Sequence, residues 1–230
     1  MITCTVCGQE NDELNIVCSN CKSYLQGRVD ALDLFSTMWG IIESPGATFR
    51  RIVLAKHKNY MVVLSALFGV NLMFEIGWFR NWIPDVMGLP ALIAAAVLLG
   101  PPLGILFVLV MAGVLRLSTK LLGGRASQKN MFAALAYALL PMVLSLVFLV
   151  PLEIAIFGAD FFGTNPPPMV IKPVEYSILL GLKALAWLYA VFLLVGATLA
   201  ASGLQPRKSV PVAAIVLMLL GAGVAAVHFV

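Results

Sequence analysis

Charged residues and histidine are scarce in this chain. Only 11% of its 230 residues are Asp, Glu, Lys or Arg, and the two histidines, His57 and His228, lie far apart. The loops offer no paired carboxylates and no set of nucleophile, acid and base, so we expect no enzyme. The formal net charge of +4 is small. Because basic residues of membrane proteins usually mark the cytoplasmic face, this charge does not indicate a nucleic-acid partner, and we expect none.

Cysteine is absent beyond position 21, and no basic segment followed by an apolar run opens the chain. The first absence argues against a disulfide framework, and the second leads us to expect no cleavable signal peptide. The cysteines that are present form two Cys-x-x-Cys pairs, Cys4 with Cys7 and Cys18 with Cys21. Four thiolates at this spacing predict a closed, structural Zn²⁺ site, and we interpret residues 1–27 as a zinc ribbon.

The predicted ribbon is too short to have a core of its own, so we expect the metal to hold it folded. Gly8, after the first pair, is expected to adopt a left-handed turn. A redox dithiol or an iron–sulfur centre is the alternative interpretation of the same four cysteines. Free thiolates persist in a reducing compartment, which places this end of the chain in the cytosol.

Long apolar runs make up most of the remaining chain, and 61% of all residues are hydrophobic. A helix needs about 20 apolar residues to cross the hydrocarbon core of a membrane. Five runs reach this length, at residues 60–79, 90–117, 131–157, 176–201 and 210–230. The predicted fold is an all-α polytopic membrane protein, a five-helix transmembrane bundle with a small N-terminal zinc ribbon.

Prolines interrupt two of these runs. Pro101 and Pro102 break the second run, or they mark its start and leave residues 90–99 as a surface or re-entrant segment. Pro141 is predicted to kink the third run and to free the carbonyl of Tyr137. The Tyr137 hydroxyl would then occupy the polar gap at the kink, or the ring would lie at the membrane interface.

Basic residues are unevenly divided between the two sides of the predicted bundle. The side opposite the N-terminus holds Arg80 and Lys172, together with Asp85, Asp160 and Glu175. The positive-inside rule therefore places the N-terminus in the cytosol and the C-terminus outside, in agreement with the cysteines, and we expect a prokaryotic cytoplasmic (inner) membrane. Twelve of the 15 basic residues lie on the N-terminal side: Lys22, Arg28, Arg50, Arg51, Lys56, Lys58, Arg116, Lys120, Arg125, Lys129, Arg207 and Lys208.

Residues 28–59 are a predicted amphipathic bridge between the ribbon and the first span. Ser44 and Pro45 predict the N-cap and first residue of a short helix that extends to Lys58. Its faces suit a helix in the headgroup layer, or one that packs on the cytosolic ends of the spans. An earlier helix is indicated by apolar residues at three- and four-residue steps: Val29, Leu32, Phe35, Met38, Trp39 and Ile42.

Three ionisable residues inside the apolar runs, Glu75, Glu153 and Lys183, lie at similar predicted depth in the outer half, and Asn71 lies one helical turn below Glu75. A buried lysine in a membrane is costly unless it is paired or hydrated. We predict that Lys183 faces the bundle, pairs with Glu153 or Glu75 and lines an outward-facing polar pocket. The alternative is that Lys183 extends to the outer interface and the glutamates lie in the headgroup layer.

Three segments carry a family resemblance: Ser44–Ile52 before the first span, Leu121–Ser127 with its double glycine, and Ala134–Pro141. In this order they resemble the prokaryotic form of the Yip family, named for interaction with the Ypt/Rab GTPases. The resemblance covers about residues 34–230 and implies a five-span membrane protein with a cytosolic N-terminus and no catalytic residues, to which the ribbon is added. The acidic segment typical of the eukaryotic relatives is absent, so no GTPase partner is implied.

Two functions are consistent with these observations. The first is a non-enzymatic membrane organiser or scaffold of the Yip type, whose ribbon and bridge form a cytosolic platform for a protein partner or the lipid surface. The second is a transporter, channel or lipid-moving protein that uses the pocket around Lys183, Glu75 and Glu153. A homodimer is expected through close-spaced glycines, Gly100 with Gly104 or Gly221 with Gly223.

Overall fold

The computed structural model describes residues 1–4, 6–12, 15–23, 25, 31–83 and 87–229, without the side chains of residues 224 and 226–229. Arg28, Val29 and Asp85, named above, lie outside the described residues. An antiparallel pair of strands, β1 (Ile2–Thr3) and β2 (Glu10–Asn11), comes first. The helices are α1 (Leu34–Glu43), α2 (Pro45–Leu54), α3 (Met61–Phe79), α4 (Leu89–Leu121), α5 (Gln128–Ala138), α6 (Leu140–Phe157), α7 (Pro168–Ile171), α8 (Pro173–Ser202) and α9 (Ser209–Phe229). Short 3-10 helices cover Gly158–Phe162 and Pro206–Lys208.

Five helical segments in the described chain are long and apolar enough to cross a membrane. Four of them are formed by α3, α4, α8 and the region of α9, and the fifth is the consecutive pair α5 and α6. This confirms the predicted all-α fold with five spans. The α5–α6 segment lies at the centre of the bundle, since every residue from 131 to 143 is buried.

Helix α4 continues without a break across Pro101 and Pro102. The predicted interruption is therefore wrong, as is the alternative in which residues 90–99 form a separate re-entrant segment. Each proline removes one N–H from the helical ladder, so the carbonyl four residues earlier lacks its usual donor. The helix nevertheless persists, and it is packed closely against α3 along this stretch.

Gly69 on α3 meets α4 backbone to backbone. A Cβ atom added to Gly69 would lie 2.0 Å from the carbonyl oxygen of Gly100 and 2.5 Å from the nitrogen of Gly104. One added to Gly104 would lie 2.2 Å from the carbonyl oxygen of Ser65. Small residues permit this approach of two helices in a membrane protein. The Gly100–Gly104 face is thus covered within the chain and is not available to a second copy, and a homodimer through Gly221 stays a prediction.

The third span is divided at Leu139, two residues before Pro141. Pro141 lies in the first turn of α6, where an N–H would have no helical partner in any case. The Tyr137 hydroxyl does not fill a polar gap at this break. The side chain is wholly buried, and the hydroxyl donates to the carbonyl of Asn59 at 2.8 Å. This hydrogen bond connects α5, at the centre of the bundle, with the segment between α2 and α3.

Helix α2 packs on the ends of the spans, against α5 and α8. Phe49 and Ile52 are wholly buried there, so α2 does not lie free in a headgroup layer. It begins at Pro45 after the predicted N-cap Ser44, although the Ser44 side chain makes no capping hydrogen bond.

Helix α2 ends at Leu54, before the predicted end at Lys58, and the Lys58 side chain caps this end. The Lys58 ammonium turns back and donates to the carbonyls of Ile52, Val53 and Ala55 at 2.8, 2.8 and 3.0 Å. These carbonyls belong to the negative end of the helix dipole, which a cation stabilises. Burial, and then the nearby ammonium of Lys129, lowers the pKa of Lys58 to about 8.

Helix α1 has two apolar faces. Asp33 caps its start by accepting from the Ser36 N–H at 2.7 Å. On the inner face Ile41 is wholly buried, and the Tyr189 hydroxyl donates to its carbonyl at 3.2 Å. The outer face leaves three large apolar side chains exposed, Phe35 at 78%, Trp39 at 67% and Ile42 at 55%. The predicted apolar stripe is therefore divided between the protein interior and its surface.

The end of the bundle that carries the α4–α5 and α8–α9 connections is here called the basic end. Two hydrogen bonds join these connections. The Arg125 N–H donates to the Ser202 carbonyl at 2.9 Å, and the Lys208 ammonium donates to the Leu122 carbonyl. Gly123 permits the turn after α4 because its φ is +87°. The exposed basic side chains of these connections, of α4 and of the start of α5 are Lys120, Arg125, Lys129 and Arg207.

Candidate functional site

Four cysteine sulfurs converge near the N-terminus. Cys4 Sγ lies 3.6 Å from Cys21 Sγ, and Cys7 Sγ lies 3.5 Å from Cys18 Sγ. All four sulfurs lie within 4.8 Å of one another. Four sulfurs bound to one ion at about 2.3 Å would be separated by roughly 3.8 Å. The observed spacing is therefore compatible with one tetrahedral thiolate-bound ion.

Matching turns close the two Cys-x-x-Cys pairs. The Gly8 N–H donates to the Cys4 carbonyl at 2.9 Å, and the Lys22 N–H donates to the Cys18 carbonyl at 3.2 Å. Gly8 has the predicted left-handed conformation, with φ of +70°, and Lys22 adopts the same region with φ of +60°. The second turn could not be predicted from residue type, because lysine rarely takes a positive φ.

Two polar side chains that sequence reasoning missed contact the sulfurs. Asn11, which is buried, donates from Nδ2 to Cys18 Sγ at 3.5 Å. Ser23 Oγ lies 3.1 Å from Cys4 Sγ and 3.0 Å from Cys21 Sγ. Hydrogen bonds, the largest with Ser23, lower the pKa of Cys4 to about 6, and a backbone hydrogen bond from Cys21 lowers the pKa of Cys18. A backbone hydrogen bond from Gln9 acts in the same direction on Cys7, but the neighbouring cysteine side chains outweigh it and raise the pKa of Cys7 to about 11. A lower thiol pKa favours the thiolate, which is the form that binds metals.

Lys183, Glu153 and Glu75 form a buried cluster, here called the ion triad, on α8, α6 and α3. Lys183 Nζ lies 3.1 Å from Glu153 Oε1 and 3.4 Å from Glu75 Oε1. Lys183 is 3% exposed and Glu153 is 0% exposed. The lysine therefore does not extend to an interface. The structure brings together three residues from distant parts of the sequence that share the same predicted depth.

Aromatic rings flank the ammonium group of the triad. The ring centroids of Trp78 and Phe161 each lie 5.0 Å from Lys183 Nζ, within the range of cation–π contacts. Phe161 belongs to the 3-10 helix after α6, and the next residue, Phe162, accepts a hydrogen bond from the Ile83 N–H at 3.0 Å. This loop therefore folds onto the bundle, an arrangement that no sequence pattern indicated.

Asn71 lies on α3 one helical turn from Glu75, and it is wholly buried. Neither polar atom of its amide has a hydrogen-bond partner among the described residues, and the same holds for Glu153 Oε2. Buried polar atoms without partners are rare in folded proteins and costly. Asn71 thus takes no part in the ion pairs of the triad.

A cavity of about 520 Å³ lies beside the triad, between α3, α4, α8 and α9. Glu75 is the one charged residue among the described residues that line it, and the rest of its wall is aromatic, aliphatic or glycine. Lys183 and Glu153 do not line it, because they are enclosed by their ion pair and the aromatic rings. The predicted polar pocket is therefore corrected to an apolar cavity with a single carboxylate.

Comparison with known proteins bears on the bundle. The sequence model of the Yip1 domain matches residues 39–227. The chain belongs to the Yip1 domain family. The Yip1 match begins within α1, includes all five spans and leaves the cysteine cluster outside. It confirms the resemblance and supports an integral membrane protein of the Yip type. Searches of curated proteins and of solved structures gave no match.

Proposed function

We propose that this Yip1-domain chain is a non-enzymatic organiser in a prokaryotic cytoplasmic membrane. The five spans anchor it, the basic end faces the cytosol and the C-terminus lies outside, as the positive-inside rule requires. The outer face of α1 lies on the lipid surface. The cysteine cluster, loaded with Zn²⁺, holds the ribbon in the shape that a cytosolic protein partner recognises.

The exposed face of α1 is the observation that carries this proposal. Phe35, Trp39 and Ile42 follow at steps of four and three residues, so they share one side of the helix. The helix cannot turn this side inward, because the opposite face is held by buried Ile41 and by the hydrogen bond from Tyr189. Tryptophan and phenylalanine are favoured where a helix meets the headgroup layer.

Basic side chains support the same placement. Arg50, Arg51 and Lys56 are exposed on α2 and just after it, directly following α1 in the chain. Each basic residue near an anionic membrane surface contributes roughly 1 kcal/mol of attraction. An apolar face next to a basic surface is the combination that binds the cytosolic leaflet.

Zinc is the metal we assign to the cysteine cluster. Soft thiolates in a tetrahedral arrangement favour Zn²⁺ or an iron–sulfur site, and four protein sulfurs leave no open coordination position for catalysis. The role of the ion is then to fold a segment whose described regular structure is two short strands.

The alternative of a transporter or channel receives less support from the same geometry. Its sequence evidence was a broken second span, a kinked third span and the Lys183–glutamate cluster. The third span is divided at Leu139, but α4 is continuous and the cavity beside the triad is apolar. Transport paths are usually formed by discontinuous helices that expose backbone groups to the substrate.

Co-purification from native membranes tests the organiser function. The full chain, a chain that begins at residue 26 and the double variant Cys4→Ser/Cys18→Ser are compared after solubilisation in mild detergent. We expect both altered chains to remain in the membrane and to lose the same proteins. Retention of an unchanged set of proteins by both would contradict the platform and leave the ribbon as a stability element.

A single-tryptophan protein tests the lipid contact of α1. With Trp78, Trp82 and Trp187 replaced by phenylalanine, the fluorescence of Trp39 is measured in vesicles with lipids brominated near the headgroup. We expect strong quenching, whereas a tryptophan moved to the exposed polar position Ser36 should be quenched less. Equal quenching at positions 39 and 36 would show that the outer face is not directed at the lipid.

A further inference from the structure

The ion triad holds one more acidic group than basic groups. It contains two carboxylates and one ammonium group, so full ionisation leaves a net charge of −1 in an apolar surrounding, which is costly. Glu153 has no exposed surface, whereas the Glu75 side chain is 12% exposed. Glu75 is also the triad member that lines the 520 Å³ cavity. A positive group from outside the chain would therefore meet this charge at Glu75.

The wall of the cavity suits a cation with an apolar body. Five aromatic residues line it together with Glu75: Phe68, Trp78, Phe79, Phe107 and Trp187. Aromatic faces attract cations by their quadrupole, most strongly where water is excluded. The volume of about 520 Å³ is within the range of small-molecule sites. Phe79, 42% exposed, lies where the cavity reaches the surface of the protein.

We infer that this cavity is a binding site for a hydrophobic monovalent cation, such as a membrane-dissolved amphiphile with an ammonium group. The positive charge lies at Glu75 and neutralises the triad, and the apolar body lies against the aromatic rings. An anion of equal shape would add to the negative charge of the triad and is excluded. The inference does not depend on the ribbon or on α1, and it goes beyond the organiser function.

Two ions of nearly the same shape and opposite charge test the site. Tetraphenylphosphonium and tetraphenylborate are titrated against the full chain in nanodiscs, with empty nanodiscs as the reference for partition into lipid. We expect saturable binding of the phosphonium ion and simple partition of the borate ion. Equal behaviour of the two ions, or no saturable binding of the phosphonium ion, would overturn the inference.

Variants locate the binding. Glu75→Gln should lower the affinity for tetraphenylphosphonium at least about tenfold, because it removes the net negative charge of the triad. The exposed Glu175→Gln on α8 is the matched control and should bind as the unaltered chain does. Leu72→Trp, which fills the cavity and keeps the triad, should also abolish binding and covers the case that Glu75→Gln does not fold. Unchanged affinity in Glu75→Gln, or in Leu72→Trp, would contradict the assignment.

Discussion

Lys183 Nζ lies 3.1 Å from Glu153 Oε1 in the interior of the bundle. The pair joins α8 to α6, and Glu75 on α3 extends it to a third helix. Removing one partner of a buried ion pair leaves an uncompensated charge, which typically costs about 3–5 kcal/mol. The triad therefore makes the arrangement of three spans depend on one lysine.

Lys183→Met should lower the thermal midpoint in detergent strongly, because both carboxylates then lose their cation. The double variant Lys183→Met/Glu153→Gln should recover part of the loss, since it removes one of the two charges left behind. Lys120→Met, at an exposed position, is the control and should be nearly neutral. A midpoint for Lys183→Met equal to or above that of the unaltered chain would refute the pairing.

Gly69→Ala should destabilise the bundle by about 1–3 kcal/mol, because the new methyl group would overlap the backbone of α4. Gly181→Ala is the matched control on a helix, since no described atom lies within 4 Å of its Cβ position. Alanine is the better helix former, so this control should be neutral or slightly stabilising. Equal unfolding curves for the two variants would argue against the close contact of α3 and α4.

Asn11→Ala should weaken metal binding at the cysteine cluster roughly 10- to 100-fold. The reason is that Asn11 donates to Cys18 Sγ and accepts from the Ser19 N–H, so it orients the second Cys-x-x-Cys pair. Competition with a chromophoric chelator measures the affinity for Zn²⁺, and the exposed Asn20→Ala is the control. The expectation fails if Asn11→Ala and Asn20→Ala hold Zn²⁺ equally well.

Lys58 should make stability depend on pH above neutrality. Its pKa is lowered from 10.5 to about 8 in the folded chain, so between these values the unfolded chain binds more protons. The cost of burying the charge is fully present below pH 8 and is relieved as pH rises toward 10.5. The stability difference between the unaltered chain and Lys58→Met should therefore grow from pH 7.5 to pH 10.

The same variant tests the capping of α2 by Lys58. Lys58→Met should lower stability at every pH in this range, because three carbonyls at the end of α2 lose their donor. The exposed neighbour Lys56→Met provides the control for loss of charge alone. A stability difference that stays constant with pH would show that Lys58 does not titrate near pH 8.

The sequence was sufficient for the features that depend on local composition. Apolar runs of membrane length predicted the five spans, and the spacing of Cys4, Cys7, Cys18 and Cys21 predicted their convergence. The pairing of Lys183 with the glutamates followed from the rise of a helix and the cost of a buried charge.

Features that depend on tertiary contacts could not be predicted. The sequence around Gly69 does not indicate that it contacts Gly100. This contact lies next to Pro101 and Pro102, across which α4 continues. From the sequence, Lys58 is an ordinary interfacial lysine, and only the fold brings its ammonium to the last carbonyls of α2. Asn11 and Phe161 likewise acquire their roles only when distant segments meet.

The organiser function requires that the basic end, with α1 and the cysteine cluster, faces the cytosol. Reporter fusions measure this most directly: green fluorescent protein, which does not fluoresce after Sec export, and alkaline phosphatase, which is active only after export, are each placed at either terminus. We predict fluorescence for the N-terminal fusion and phosphatase activity for the C-terminal fusion, with the reverse placements silent. Phosphatase activity at the N-terminus with fluorescence at the C-terminus would contradict the proposed cytosolic platform.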